Sequence, residues 1–97
     1  MFITFLKFTA DRARASGAMA AHNAWIAEGF AAGKFLCVGT LDQGAGGAIL
    51  SQGEDRAALE ARIAADPFVA AGIVTAEIHE IDAKRWVPAL DLLLAPA

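Results

Sequence analysis

The chain has one cysteine, no tract of basic residues and no apolar run near the ~20 residues a membrane-spanning helix needs. Each absence removes a class of protein. A single cysteine, Cys37, excludes an internal disulfide, and its place in an apolar run predicts a buried, inert thiol. Eight basic residues scattered along a chain of net charge -3 offer no footprint for a phosphate backbone, so nucleic acid is not expected as a partner. There is no CxxC, no HxxxH and no carboxylate cluster, which predicts no metal site. No glycine loop opens a helix to cradle a phosphate, since Gly44, Gly46 and Gly47 read as a hairpin, and no cofactor is called for. Met1 to Phe8 carries Lys7 inside its apolar stretch and lacks a cleavage site, so the expectation is a soluble protein with the cytoplasm as default compartment.

What is present is 97 residues, room for one domain over 1–97, of which a chain this short buries only roughly 60 to 65% of its unfolded surface. The 57% hydrophobic content overstates the core, because 24 of those residues are alanine, which packs helices closely but adds little buried area. Phe2 to Phe8 has apolar side chains at both parities and reads as a strand buried on both sides. From Asp11 to Ala32 the pattern becomes an alanine-rich helix with Met19, Ile26 and Phe30 at helical spacing, capped by Ser16 or Asp11 and stopped at Gly33. Phe35 to Leu41 and Gly47 to Leu50 form a hairpin across a glycine turn. Ser51-Gln52-Gly53-Glu54 has capping-box spacing before a helix with Leu59 and Ile63 inward, ending ahead of Pro67. Ile73 to Ile81 is the fourth strand, and 82–97 is an apolar tail around Trp86 and Leu92 to Leu94.

This order, βαββαβ, predicts an α+β, ferredoxin-like domain: a four-stranded antiparallel sheet with two helices on one face. The other face would then lie open to water, and an exposed apolar sheet face marks an association surface. A second copy of the chain is the expected partner, as a homodimer or higher oligomer, with the tail completing the interface.

Two residues carry possible chemistry. His22 lies three residues after Met19 and four before Ile26, so it projects from the apolar stripe or its edge and is at least partly buried. It is either a satisfied structural histidine or a general base held by a carboxylate. Asp66 closes the second helix on its core side, yet Asp66-Pro67-Phe68-Val69-Ala70-Ala71-Gly72 also reads as an N-cap, a proline at the first helical position and a glycine stop. One oxygen can cap while the other receives an imidazole N–H. Trp25, one turn from His22, reads first as core and second as a ligand platform.

Ala21-His22-x-x-Trp25, Cys37-Val38-Gly39-Thr40, the glycine-bearing hairpin and Asp66-Pro67-Phe68 with Ala71-Gly72 together resemble the YciI-like (YCII-related) family over nearly the whole chain. The resemblance implies a ferredoxin-like fold that dimerises into an α/β barrel. It also implies a pocket lined by a His/Asp pair, here His22 and Asp66, proposed as catalytic. Trp25, Gly39, Thr40 and Phe68 are the residues expected to bind substrate. Thr40 departs from the family, which often has Gly-Pro in this strand, and the departure reshapes the pocket wall. The activity proposed within the family is halide elimination from chlorinated hydroxyquinones, a substrate that likeness of fold alone does not transfer. Two functions therefore lead: a cofactor-independent lyase or isomerase with His22 as base acting on an unknown small molecule, or a non-catalytic ligand-binding or dimerisation module on the same scaffold. A heme- or substrate-oxidising barrel of the antibiotic-monooxygenase kind shares the expected fold but does not require Asp66-Pro67-Phe68.

Overall fold

The protein is described by a computed structural model covering residues 1–95. Four strands, β1 (Phe2–Phe8), β2 (Phe35–Thr40), β3 (Gly46–Ser51) and β4 (Val74–Glu80), form one sheet in the order β2-β3-β1-β4, with every neighbouring pair antiparallel. The helix α1 (Ala15–Ala31) links β1 to β2 across β3. The pair α2 (Arg56–Ala64) and α3 (Pro67–Ala70) links β3 to β4 across β1. The architecture is thus α+β, with an antiparallel sheet of four strands and helices.

Parity along β1 decides what is covered. Phe2, Thr4 and Leu6 are buried, together with Trp25, Leu59, Ile63 and Phe68 from the helices. Ile49, Leu59 and Ile73 are each at most 1% exposed, and burial of such side chains stabilises the fold by roughly 1.5 to 3 kcal/mol apiece. Ile3 and Phe5 point to the opposite face and are only half-buried; cross-strand pairing sets them beside His79, Glu77, Leu50 and Ala48.

The helix α1 packs differently from its sequence pattern. Its buried residues are Ala15, Trp25 and Gly29, whereas Met19 and Phe30 are 41% and 45% exposed. The large apolar residues lie one stripe away from the core contact, because Trp25 fills the space over the sheet and Gly29 lets Phe35 approach the helix. A Cβ at Gly29 would overlap the Phe35 ring. Neither Ser16 nor Asp11 caps α1, since a 3-10 turn at Arg12–Arg14 runs directly into it and supplies backbone bonds such as Arg14 N–H to Asp11 O, 2.9 Å. At the other end, Gly33, at φ 72°, donates to Phe30 O while Lys34 donates to Gly29 O, closing a Schellman motif.

Two further expectations are corrected. Ser51 is the last residue of β3, paired with Phe2 and Phe35, so it cannot cap α2. Asp55 does so instead, accepting from Ala58 N–H at 2.8 Å, and Glu54 turns to Arg62. Cys37 is exposed, because its pairing with Leu50 puts it on the open face of the sheet. No helix among the described residues is long and apolar enough to cross a membrane. The tail forms a 3-10 turn at Pro88–Leu90 and the short helix α4 (Asp91–Leu94), tied to the domain by Gln52 Nε2 donating to Leu93 O at 3.0 Å, with Leu92 98% exposed. Residues 96–97 of the expected tail lie outside the described residues.

Candidate active site

Asp66 sits where α2 gives way to α3. Its φ of -59° and ψ of 125° leave the helical region, as the following proline requires, and turn its carboxylate back over the first turn of α3. Oδ1 accepts the Phe68 N–H at 3.0 Å and also lies 2.7 Å from His22 Nδ1. Asp66 is fully buried, whereas the His22 side chain is 12% exposed. Cap and histidine partner are therefore one and the same oxygen, while Oδ2 is buried with no partner among the described residues.

The imidazole is fixed on further sides. Phe68 stacks on it at 3.9 Å between centroids and 2° between planes, and Trp25 lies 5.9 Å away. Aromatic pairs of this kind contribute about 0.5 to 1.5 kcal/mol beyond burial. An ionised carboxylate can only accept, so a neutral His22 bonded to it must carry its proton on Nδ1, which leaves the Nε2 lone pair unspent.

His22 lines a pocket of about 350 Å³ beneath α1. Leu6, Val38, Ile49 and Val74 give it an apolar floor, Phe8 and Phe68 close one side, and Met19, Asn23 and Ile26 hang from α1 above. The space exists because Gly47, which shares parity with Ile49, places no side chain on the sheet beside Thr40. A ligand site of this size is at the low end of the usual ~300 to 1,000 Å³ and suits one small ring. Among the described residues no group of three or more His, Cys, Asp or Glu is placed to hold a metal ion.

Of the residues singled out in the sequence, His22, Asp66 and Phe68 are brought into direct contact, and Gly39 and Thr40 line the same pocket. Trp25 does not line it. Its ring is 7% exposed, its Nε1 donates to Arg62 O at 3.0 Å, and it borders a shallow groove between α1 and α2. Arg62 is itself held by Glu54 at 2.9 Å. That hydrogen bond keeps the guanidinium protonated to still higher pH than usual, against the opposing effect of burial. Asn23 also lines the pocket, and the only sign of it in the sequence is a polar residue inside the Met19, Ile26, Phe30 stripe.

Fold and pocket define a small α+β protein with a histidine presented to an apolar cavity. The chain belongs to the YCII-related domain family, whose family model matches residues 1–82. No curated protein sequence matches it. Among solved structures it is similar to 5-chloro-2-hydroxyhydroquinone dehydrochlorinase (TftG) from Burkholderia phenoliruptrix, in complex with 2,5-dihydroxybenzoquinone. The TM-score is 0.72 at 17% identity, covering 86% of this chain and 94% of that one.

Proposed function

We propose that the chain is a small-molecule enzyme of lyase or isomerase type in which His22 Nε2 takes a proton from the substrate. Asp66 holds the Nδ1–H tautomer and stabilises the imidazolium that forms. One observation carries this reading: an imidazole bonded through one nitrogen to a buried carboxylate, in a ring that lines an apolar pocket. In an elimination the C–H electron pair forms the new double bond, the leaving group departs with its own pair, and imidazolium returns the proton to solvent or to the leaving group. In an isomerisation the imidazolium returns it to a second substrate atom. Neither needs a redox partner. A neighbour of the same fold that is named a dehydrochlorinase and holds a planar six-membered ring fits such chemistry.

The test is ¹H NMR in D₂O with a panel of enolisable cyclic ketones and polyhydroxylated aromatics, including 5-chloro-2-hydroxyhydroquinone with chloride release as a second readout. Exchange or elimination by the wild type should fall ~10² to 10⁴-fold in His22→Gln, the usual contribution of a positioned base. Binding without any His22-dependent exchange would overturn the enzyme reading and leave a binding module.

The scaffold belonging to this reading is the ferredoxin-like one, paired with a second copy through the open face that carries Ile3, Phe5, Ala48 and Leu50. Sedimentation at micromolar concentration should show a dimer; a folded monomer would refute the pairing.

A further inference from the structure

We infer that Asn23 and Thr40 form a second polar contact of the pocket, which recognises a hydroxyl or carbonyl oxygen of a neutral, planar substrate beyond the atom on which His22 acts. The inference rests on the reading of this pocket as a substrate site and deepens it, because it names the class of molecule the site selects.

The helix α1 carries two adjacent stripes. Ala15, Ala18, His22, Trp25 and Gly29 recur at three- and four-residue steps. Ala15, Trp25 and Gly29 are buried, Ala18 packs on the core, and His22 reaches Asp66. Met19, Asn23 and Ile26 recur in the same way and line the pocket. Within that second stripe Asn23 is flanked by a large apolar residue one turn to either side. Leucine or methionine there would extend the apolar surface and favour the helix more than asparagine does. Nothing in the fold uses the amide, since its side chain makes no hydrogen bond among the described residues. Asn23 is exposed at the pocket rim, so water holds its amide until a ligand displaces it, and a polar group on the wall of an otherwise apolar pocket is the arrangement by which binding sites fix orientation.

Thr40 supplies the matching group from the sheet. It shares parity with Val38, which packs against the core, so its side chain points into the helix-covered face; opposite it stands Gly47, with no side chain to accept its hydroxyl. Thr40 likewise makes no side-chain hydrogen bond among the described residues. An amide and a hydroxyl can both donate and accept, so together they read an oxygen of either kind.

Charge and shape narrow the class further. Among the described residues no Lys, Arg, Asp or Glu lines the pocket, so apart from the His22 imidazole its walls offer a formally charged group no counter-ion. Gly47 on the sheet, α1 and the stacked Phe68 and His22 rings border a space of about 350 Å³, which has room for one small ring.

The experiment uses phenol, resorcinol and benzoate as probes, with Kd values from calorimetry on wild type, the double variant Asn23→Leu/Thr40→Val, and Thr40→Ser. Resorcinol has a second oxygen that phenol lacks, and one net hydrogen bond corresponds to about 3- to 10-fold in affinity. The expected result is a resorcinol preference of that size in wild type and Thr40→Ser. It should fall below about 2-fold in the double variant, with phenol still bound. Both substituted side chains are solvent-exposed at the pocket rim, and circular dichroism checks that each variant is folded. A preference that survives the double substitution, benzoate bound more tightly than resorcinol, or no probe bound by wild type would overturn the inference. Because the readout is binding, a collapse of the preference without any His22-dependent exchange would sink the enzyme reading and leave this subsite standing.

Discussion

Replacing Asp66 separates what its oxygen does for the fold from what its charge does for the histidine. Oδ1 accepts both the Phe68 N–H at 3.0 Å and the His22 Nδ1 proton at 2.7 Å, while Oδ2 has no partner among the described residues. Asparagine keeps a carbonyl oxygen in the Oδ1 position and caps as well as aspartate does. Its amide group takes the place of an atom that was already unpaired, and the cost of burying a charge disappears. Asp66→Asn should therefore cost about 1 kcal/mol or less. Alanine removes the shared acceptor altogether. A buried Phe68 N–H left unsatisfied costs ~1 to 3 kcal/mol, and loss of the His22 bond adds roughly 0.5 to 1.5, so Asp66→Ala should cost about 1.5 to 4.5 kcal/mol. Urea unfolding followed by far-UV circular dichroism at a fixed protomer concentration measures both. Under the proposed function, Asp66→Asn should fold nearly as wild type yet lose at least ~10²-fold in activity, because an amide does not stabilise the imidazolium. Equal destabilisation by asparagine and alanine would refute the reasoning, since the charge itself would then hold the fold.

Trp25→Phe should cost ~1 to 2 kcal/mol by the same unfolding assay, for it deletes the Nε1 bond to Arg62 O while leaving most of the ring volume; no change would mean that this bond does not anchor α1 to α2. Gly29→Ala should destabilise by ~1 to 3 kcal/mol despite alanine's better helix propensity, because the added methyl meets the Phe35 ring; a raised melting temperature would contradict that packing. Cys37 should react with a thiol reagent at a rate that rises on dilution, since the proposed dimer covers the face it stands on; a fast rate independent of protein concentration would count against that interface. Long-range ¹H–¹⁵N spectra of neutral His22 should show the proton on Nδ1, and a proton on Nε2 would contradict the assigned bond.

The apolar run at both parities in β1, the glycine-bearing hairpin and the break at Asp66-Pro67 marked most of the element boundaries from the chain alone, because strand composition, turn chemistry and the proline constraint are local. His22 and Asp66 were likewise legible, one by its place on a helix stripe and the other by its cap pattern. Tertiary packing decided which stripe of α1 is core. Sequence favoured the large residues Met19, Ile26 and Phe30, but only three-dimensional contact with Phe35 makes Gly29 an asset, and only then do Met19 and Ile26 become pocket wall. It also decided where Cys37 points, since β2 carries an irregularity between Phe35 and Cys37 that no periodicity reveals. Residues 44 apart in sequence, His22 and Asp66, come within 2.7 Å of each other through the meeting of α1 and α3 over one sheet, and that meeting is a property of topology rather than of either segment.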